Sequence, residues 1–284
     1  MTRPSLCALA LTSVASVSLM AVSPARPAAE IRRVAYVAAT NSAGEFVTDL
    51  APSDVVVKEN KQARAVVALV PASERLHVAV LVDDGGAGGL RAPVAQLLSI
   101  LYGRADFAIS LLNPQPFKLN DYSADDAVLR NSVGKLVQRG ETPGDPTQMI
   151  EAISWAAKDL RKREMTRPVV VALTTSGEPG KSYISDAIIE DLRESGAQLH
   201  VVYAAGVQMG RVLMDGPTRS GGSSAVANST ASFGQAAIAV GRLLLRQYRV
   251  TYVLPDGVKP HQEVEITSTR SGVTLVAPTR VPTK

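Results

Sequence analysis

Residues 78–90 read VAVLVDDGGAGGL, an aliphatic run that ends in two aspartates and then in glycines. Such a run predicts a strand that is buried on both faces, as in a parallel sheet. Asp83 and Asp84 stand at the end of this strand, and the glycines predict a loop before a helical pattern begins. In an open α/β sheet, ligands bind beyond the carboxyl ends of the strands. The stretch therefore predicts a parallel sheet and a binding edge.

The segments that follow alternate between helical and strand periodicity. Helices are predicted at 89–105, 123–139, 146–164, 182–196 and 231–247, and strands at 76–84, 106–113, 168–176 and 197–206. Ser123 is expected to cap the second helix, and Gly196 to close the fourth. Residues 208–230, rich in Gly, Ser, Thr and Asn, predict a surface loop. Alternating strands and helices predict an α/β fold, a doubly wound, mainly parallel sheet with helices on both faces.

A β segment flanks this alternating region on each side. Residues 31–72 contain three strand-like runs, and the chain after residue 248 returns to strands separated by DG and SG turns. We expect these N- and C-terminal β extensions to pair with each other. The predicted division of the chain is a signal peptide at 1–29, an N-terminal β segment at 30–74, an α/β domain at 75–247 and a C-terminal β segment at 248–284.

The composition is that of a globular protein and excludes some functions. Of the 284 residues, 46% are hydrophobic and only 4% aromatic, so Val, Leu, Ile and Ala must form the core. The formal charge of +4 comes from scattered basic residues. Binding to nucleic acid needs a concentrated basic face, so we expect no nucleic-acid partner.

The first 29 residues are typical of an export signal. MTRP gives a positively charged start, an apolar run follows, and small residues near Ala25 and Ala29 offer cleavage sites. A short membrane anchor is the alternative, although the many Ser and Ala residues disfavour it. Cys7 is the only cysteine, so the mature chain is expected to have neither disulfides nor thiolate metal sites. The sequence predicts a secreted or periplasmic protein with no membrane span in the mature chain.

The order of these segments, with several short motifs, resembles a known family. AGEFVTDLAPSDVVVKEN, at 43–60, gives a turn glycine and a Leu-x-x-x-Asp stretch before a strand. LRQYRVTYVLPDG, at 245–257, opens the C-terminal strands, and Gly221 and Gly222 precede the last helix. Over nearly the whole mature chain the sequence resembles von Willebrand factor A (VWA) domains, and more narrowly bacterial VWFA-related proteins with a β extension at each end. The resemblance implies a Rossmann-like fold and a binding role.

The same resemblance implies a metal-ion-dependent adhesion site, in which an Asp-x-Ser-x-Ser stretch, a Thr and a second Asp hold Mg²⁺. Asp83 matches the first aspartate and Thr147 the threonine. Gly85 and Ala87 replace the two serines and have no side-chain oxygen. Mg²⁺ needs a near-octahedral set of oxygen ligands. This departure predicts a degenerate site with no tightly bound metal and no cofactor, although weak Mg²⁺ binding is possible.

At the last aspartate position of that pattern stands Thr175 or Ser176. Four nearby acidic residues could replace the missing ligands: Asp84, Glu141, Asp145 and Glu178. The alternative hypothesis is therefore an Mg²⁺-dependent adhesion module that uses Asp83 and Thr147 with such substitutes. The preferred hypothesis is a noncatalytic module that binds a protein partner through the loops 83–89, 141–147 and 175–180. The predicted binding residues are Asp83, Asp84, Gly85, Ala87, Asp145, Thr147, Thr175 and Ser176.

Patterns typical of enzymes are weak in this sequence. LTTSGEPGKSYI, at 173–184, is similar to a phosphate-binding loop, but Thr175 stands where that motif needs its first glycine. There is no G-x-S-x-G nucleophile elbow. His77 and His200 fall in strands and are expected to be structural, and His261 lies in a polar turn, where we expect it to be solvated. The sequence predicts a protein that is not an enzyme.

Overall fold

The computed structural model describes residues 30–140, 146–178 and 184–283, which form two six-stranded sheets and six α-helices. The strands are β1 (Ile31–Asn41), β2 (Val55–Glu59), β3 (Gln62–Pro71), β4 (Leu76–Asp83), β5 (Ala105–Leu111), β6 (Phe117–Ser123), β7 (Pro168–Thr174), β8 (Gln198–Ala204), β9 (Ser224–Ala227), β10 (Tyr248–Leu254), β11 (Val264–Ser268) and β12 (Val273–Val276). The helices are α1 (Arg91–Ile100), α2 (Asp126–Gly134), α3 (Pro146–Lys162), α4 (Ser185–Ser195), α5 (Arg211–Ser220) and α6 (Thr230–Leu245).

The central sheet has the strand order β6-β5-β4-β7-β8-β9. All its neighbouring pairs are parallel except β5 with the edge strand β6. Side chains of α1, α2 and α6 pack against one face, and side chains of α3, α4 and α5 against the other. The predicted fold class, a doubly wound, mainly parallel sheet with helices on both faces, is confirmed.

The second sheet joins the two ends of the chain, as predicted. Its order is β11-β2-β3-β10-β1-β12, and its pairings are antiparallel. The edge strands β11 and β12 contact each other, so the sheet curls around its own aliphatic core. Each sheet therefore has a separate core. The division at residues 74 and 247 stays a prediction.

A buried polar chain connects the two sheets. The guanidinium of Arg167, which is 2% exposed, donates to the side-chain oxygen of Gln247 at 2.8 Å. Gln247 in turn donates to Gln198 of β8 at 2.8 Å, and Gln198 donates to the main-chain oxygen of Tyr36 in β1 at 3.3 Å. The Arg167 guanidinium also lies over the ring of Tyr36, 5.1 Å from its centroid. Buried polar networks of this kind fix relative orientation because each member depends on the others for its hydrogen bonds.

The region 208–230 was wrongly predicted as a surface loop. It contains α5 and β9, and β9 pairs in parallel with β8 at the edge of the central sheet. Helix α5 buries Val212, Leu213, Gly216 and Pro217, which lie on one face at helical spacing. Gly and Pro inside the helix hid this pattern, because both residues are typical of loops.

Two smaller expectations also needed correction. The N-cap of α2 is Asp125, whose side chain accepts from the amides of Ala127 and Val128; Ser123 instead accepts from the amide of Asp125. Strand β6 has no counterpart in the predicted elements. Gly196 does close α4, with the positive φ of 66° that favours glycine.

In the part of the chain that the structure describes, no helix combines the length and apolarity that a bilayer crossing requires.

Candidate functional site

The candidate site lies at the carboxyl edge of the central sheet, between β4 and β7. The chain runs from β4 to one side of the sheet through β5 and then crosses to the other side at β7, so the strand order reverses here. Asp83, the last residue of β4, is paired with Thr174, the last residue of β7. A crevice beyond such a reversal point is the usual ligand position in open α/β sheets.

A cavity of about 350 Å³ opens at this edge. The loops after β4, β7, β8 and β9 and the first turn of α6 surround it. Three predicted binding residues, Asp84, Ala87 and Thr175, share its lining. The rest of the lining is mostly small or hydroxyl-bearing, with Phe233 of α6 as its largest side chain. The volume suits one large side chain or a small ligand.

Asp83 is almost completely buried, at 4% exposure, and is held from β7. Its Oδ2 accepts a hydrogen bond from the Thr174 hydroxyl at 3.0 Å. Its main-chain oxygen accepts from the amide and the hydroxyl of Thr175, at 2.8 and 3.2 Å. Burial raises the pKa of Asp83, although the hydroxyls of Ser176 and Thr174 and the amide of Gly85 favour the charged form. Within the described residues, Oδ1 has no partner at full hydrogen-bonding geometry.

Asp84 is buried beside Asp83, and the positive charge of Arg139 compensates its negative charge. Its Oδ1 accepts from the amide of Gly86 at 3.0 Å and from Nη2 of Arg139 at 3.0 Å. The amide of Arg139 donates to the oxygen of Gly86 at 2.9 Å. A Cβ on Gly88 would lie 2.5 Å from the amide nitrogen of Gln138, and its φ is 73°, so only glycine allows this approach. The loop after β4 is therefore fixed against residues 137–139.

Arg139 was missed by the sequence analysis. A single basic residue at the end of a predicted helix gives no signal, because its partner Asp84 lies 55 positions away in the chain. In the structure the residue follows α2 in a segment without helix or strand. It is the cation paired with the buried Asp84 carboxylate.

The remaining predicted binding residues have different positions. Ser176 donates its amide to the Thr174 hydroxyl at 3.0 Å, and Gly85 has a φ of 61° in the loop after β4. Thr147 lies in the first turn of α3. Asp145 and Glu141, named as possible ligands, lie outside the described residues. Lys181 and the rest of the phosphate-loop-like stretch at 179–183 also lie outside them.

Glu178 has a structural role at this edge. Its two carboxylate oxygens accept from the amides of Val212 and Leu213, at 3.0 and 2.8 Å, and so cap the start of α5. The residue is 2% exposed, and burial raises its pKa against the opposing effect of these two amides. Because both oxygens are used, Glu178 is not a free substitute ligand. The carboxylate instead connects the loop after β7 to α5.

The magnesium ion implied by the resemblance does not fit the described residues. Gly85 and Ala87 offer no side-chain oxygen, and Thr175 or Ser176 stands where a second aspartate is expected. Among the residues that the structure describes, no group of three or more His, Cys, Asp and Glu side chains could hold a metal ion. Mg²⁺ gives up its hydration shell reluctantly and needs several well-placed oxygens. Within the described residues, the donors near Asp83 are too few for a tight site, and the absence of a tightly bound metal stays a prediction.

The three histidines lie elsewhere. His77 is near the amino end of β4, with Nε2 3.7 Å from Asp106, and burial lowers its pKa. His200 is completely buried in β8 and contacts Ser223. His261 is partly buried rather than solvated, and its Nδ1 accepts from the amide of Glu263. None of these contacts is with a candidate-site residue.

No protein-family model and no curated protein sequence matches the chain. Solved structures with a similar chain arrangement include the VWA domain of SpRpn10, with 11% identity, a TM-score of 0.44 and coverage of 58% of this chain and 94% of that one. A von Willebrand factor type A protein from Catenulispora acidiphila has 12% identity and a TM-score of 0.43, covering 87% of this chain and 73% of its own. An aerotolerance-related membrane protein from Bacteroides fragilis has 13% identity and a TM-score of 0.42, covering 60% and 98%. At these identities and scores the similarities carry no functional information.

Proposed function

We propose that this protein is an exported, noncatalytic module of VWA type that binds a protein partner at the carboxyl edge of its central sheet. The supporting observation is the convergence of four strand-end loops on one cavity of about 350 Å³ at the point where the strand order reverses. Loops carried on a rigid sheet are suited to recognition. A cavity of this size, with its lining of small and hydroxyl-bearing side chains, would accept one side chain of the partner.

The same proposal includes the absence of catalysis and of a tight metal. Catalytic groups need a nucleophile and a base within hydrogen-bonding reach, or a metal with an open position. The described part of this edge instead has carboxylates that bond to hydroxyls, amides and a guanidinium. Binding of the partner would rest on loop shape and fixed hydrogen-bonding groups. Export through the segment 1–29, to the periplasm or the exterior, belongs to this proposal.

The test blocks the cavity without disturbing the core. Ala205 is exposed and lines the cavity, so Ala205→Trp would fill the space while leaving the sheet intact. Ala63→Trp is the matched control, since Ala63 is equally an exposed alanine but lies on β3 of the other sheet. The chain from residue 30 onward would be used to select binders from a random library of 12-residue peptides. Affinities of the selected peptides for the two variants would then be measured by fluorescence anisotropy.

We expect the selected peptides to bind the wild type and Ala63→Trp equally and to lose at least tenfold in affinity for Ala205→Trp. Equal affinity for both variants would place the binding surface elsewhere on the molecule. A library that yields no binder would contradict a peptide-recognition role for this edge. Addition of a chelator separates the Mg²⁺-dependent alternative, in which affinity would fall when divalent ions are removed.

A further inference from the structure

The ion pair between Arg139 and Asp84 has its two charges differently exposed. The side chain of Asp84 is 1% exposed, whereas that of Arg139 is 22% exposed. The anion therefore lies inside the edge, and the cation is partly exposed. Asp84 lines the candidate cavity, whereas Arg139 lies behind it as the partner of Asp84. Such a pair presents positive charge to a partner, although the pair itself is neutral.

The guanidinium is also held in a fixed position. Nη2 donates to Asp84 at 3.0 Å and Nη1 to the main-chain oxygen of Val137 at 2.9 Å. The main chain of Arg139 is bonded to Gly86, and the neighbouring Gln138 packs against Gly88. A side chain fixed before binding loses little conformational entropy when a partner arrives. This separates Arg139 from the mobile arginines of an ordinary protein surface.

The hydrogen-bonding capacity of this guanidinium is only partly used. It has five N–H groups, and two donate to the partners just described. Within the described residues, Nε is buried without a partner, and Asp84 is the carboxylate that pairs with the group. Counted over the described residues alone, each Nη nitrogen retains an N–H for a further acceptor. The planar fork of arginine matches a carboxylate better than any other side chain does.

We propose that Arg139 binds an acidic side chain of the protein partner, so that a built-in guanidinium supplies the positive charge at this edge without a divalent ion. This inference rests on the proposed function, because it names the chemistry of the partner at the same edge. Capture of a carboxylate by Arg139 makes recognition independent of divalent metal. It also gives Asp84 a role in recognition, because the buried carboxylate orients the guanidinium of Arg139.

The experiment uses the peptides selected above. It measures whether the loss of an acidic peptide side chain and the loss of Arg139 affect binding affinity independently of each other. Each Asp or Glu of a selected peptide is replaced by Asn or Gln, and each peptide is titrated against wild type and Arg139→Gln in the presence of EDTA. Arg270→Gln is the matched control: Arg270 also pairs with an aspartate, Asp49, at 2.8 and 3.1 Å, but in the turn between β11 and β12 of the antiparallel sheet. Arg139→Gln combined with Asp84→Asn removes both partners, which avoids leaving a buried charge unpaired. Thermal unfolding of each variant confirms that it is folded.

We expect one acidic position in the peptides at which the amide costs at least tenfold in affinity for wild type and for Arg270→Gln. The same change should cost less than twofold for Arg139→Gln and for the double variant. Peptides that bind the cavity but show no such position would overturn the role of Arg139 and leave the proposed function standing. A loss of binding in EDTA would also overturn it, because a metal would then carry the charge. Failure to select any peptide contradicts the proposed function itself.

Discussion

Lowering the pH from 7 to 5 should destabilise this protein through His200. This side chain lies within β8 at 0% exposure. Its Nδ1 is 2.9 Å from the Ser223 hydroxyl, and Nε2 has no hydrogen-bond partner among the described residues. Burial disfavours the charged imidazolium and lowers the pKa of His200 to about 4. The native state therefore holds the neutral ring well below the pH at which a solvated histidine becomes charged.

The sign and the size of the effect follow from proton linkage. An unfolded chain has a histidine pKa of about 6.5, so between that value and about 4 the unfolded state binds a proton that the native state does not. Stability is thus complete above about pH 6.5 and is lost as the pH falls toward 4, at roughly 1.4 kcal/mol per pH unit. At pH 5 the loss should be about 2 kcal/mol. Below pH 4 both states are protonated, and the effect ends.

Urea unfolding of wild type and His200→Asn at pH 7, 6 and 5 would measure this loss. Asparagine can keep the hydrogen bond to Ser223 but cannot take up a proton, and the difference between the two proteins removes the contributions of Asp83, Glu178 and other acids that both share. We expect the stability advantage of wild type to shrink by about 2 kcal/mol between pH 7 and 5. A difference that stays constant across this range would refute the assignment of a buried, neutral His200.

Three further outcomes follow from local geometry. Glu178→Ala should lower the free energy of unfolding by about 2–4 kcal/mol, because two buried amides lose their acceptors. Glu178→Gln keeps one acceptor, so its loss should be about half as large. Chemical denaturation measures the free energy of unfolding of both variants. Gly222→Ala should abolish or severely reduce soluble folded protein, because the added Cβ would lie 1.8 Å from a carbonyl oxygen of β8. Gly134→Ala is the control: the Cβ added there would have no atom within 4 Å, so the melting temperature should be nearly unchanged. Arg33→Met should cost about 3–5 kcal/mol by leaving the buried Glu59 carboxylate, 2.5 Å from Arg33, without its cation. Arg33→Met with Glu59→Leu should recover only part of that loss in the same unfolding assay, because the Tyr252 hydroxyl and the His261 amide then lose their acceptor.

The fold was largely predictable because aliphatic runs typical of buried strands alternate regularly with helical periodicity along the sequence. The aliphatic strands β4, β7 and β8 stand out by composition, and each is followed along the chain by an amphipathic helix. The failure at α5 has a physical cause: the helix contains Gly216 and Pro217, and its start is capped by a carboxylate 34 positions earlier in the chain. Local propensity cannot report such a tertiary contact.

The candidate site was predictable only in part. The position of Asp83 at a strand end follows from the aliphatic run before it, and the lack of a side-chain oxygen at Gly85 and Ala87 is plain in the sequence. The contacts that define the edge are different, because they join residues distant in the chain: Asp83 with Thr174, and Asp84 with Arg139. Nothing in the local sequence around Arg139 distinguishes it from a solvated basic residue. Such pairings arise from the fold, and only the structure reveals them.

Several buried polar atoms at the same edge lack a hydrogen-bond partner among the described residues, as do six buried atoms elsewhere in the molecule. Asp83 Oδ1, Asp84 Oδ2 and both amide atoms of Asn113 are buried without a partner at full hydrogen-bonding geometry among the described residues, as is Nε of Arg139. Asn113 directly follows Leu112, whose amide bonds to the last-but-one residue of β4, so the asparagine lies at the carboxyl end of β5. Folded proteins leave few buried polar groups unpaired, because each costs about 1–3 kcal/mol. A partner that supplied hydrogen bonds to these atoms would recover part of this cost on binding.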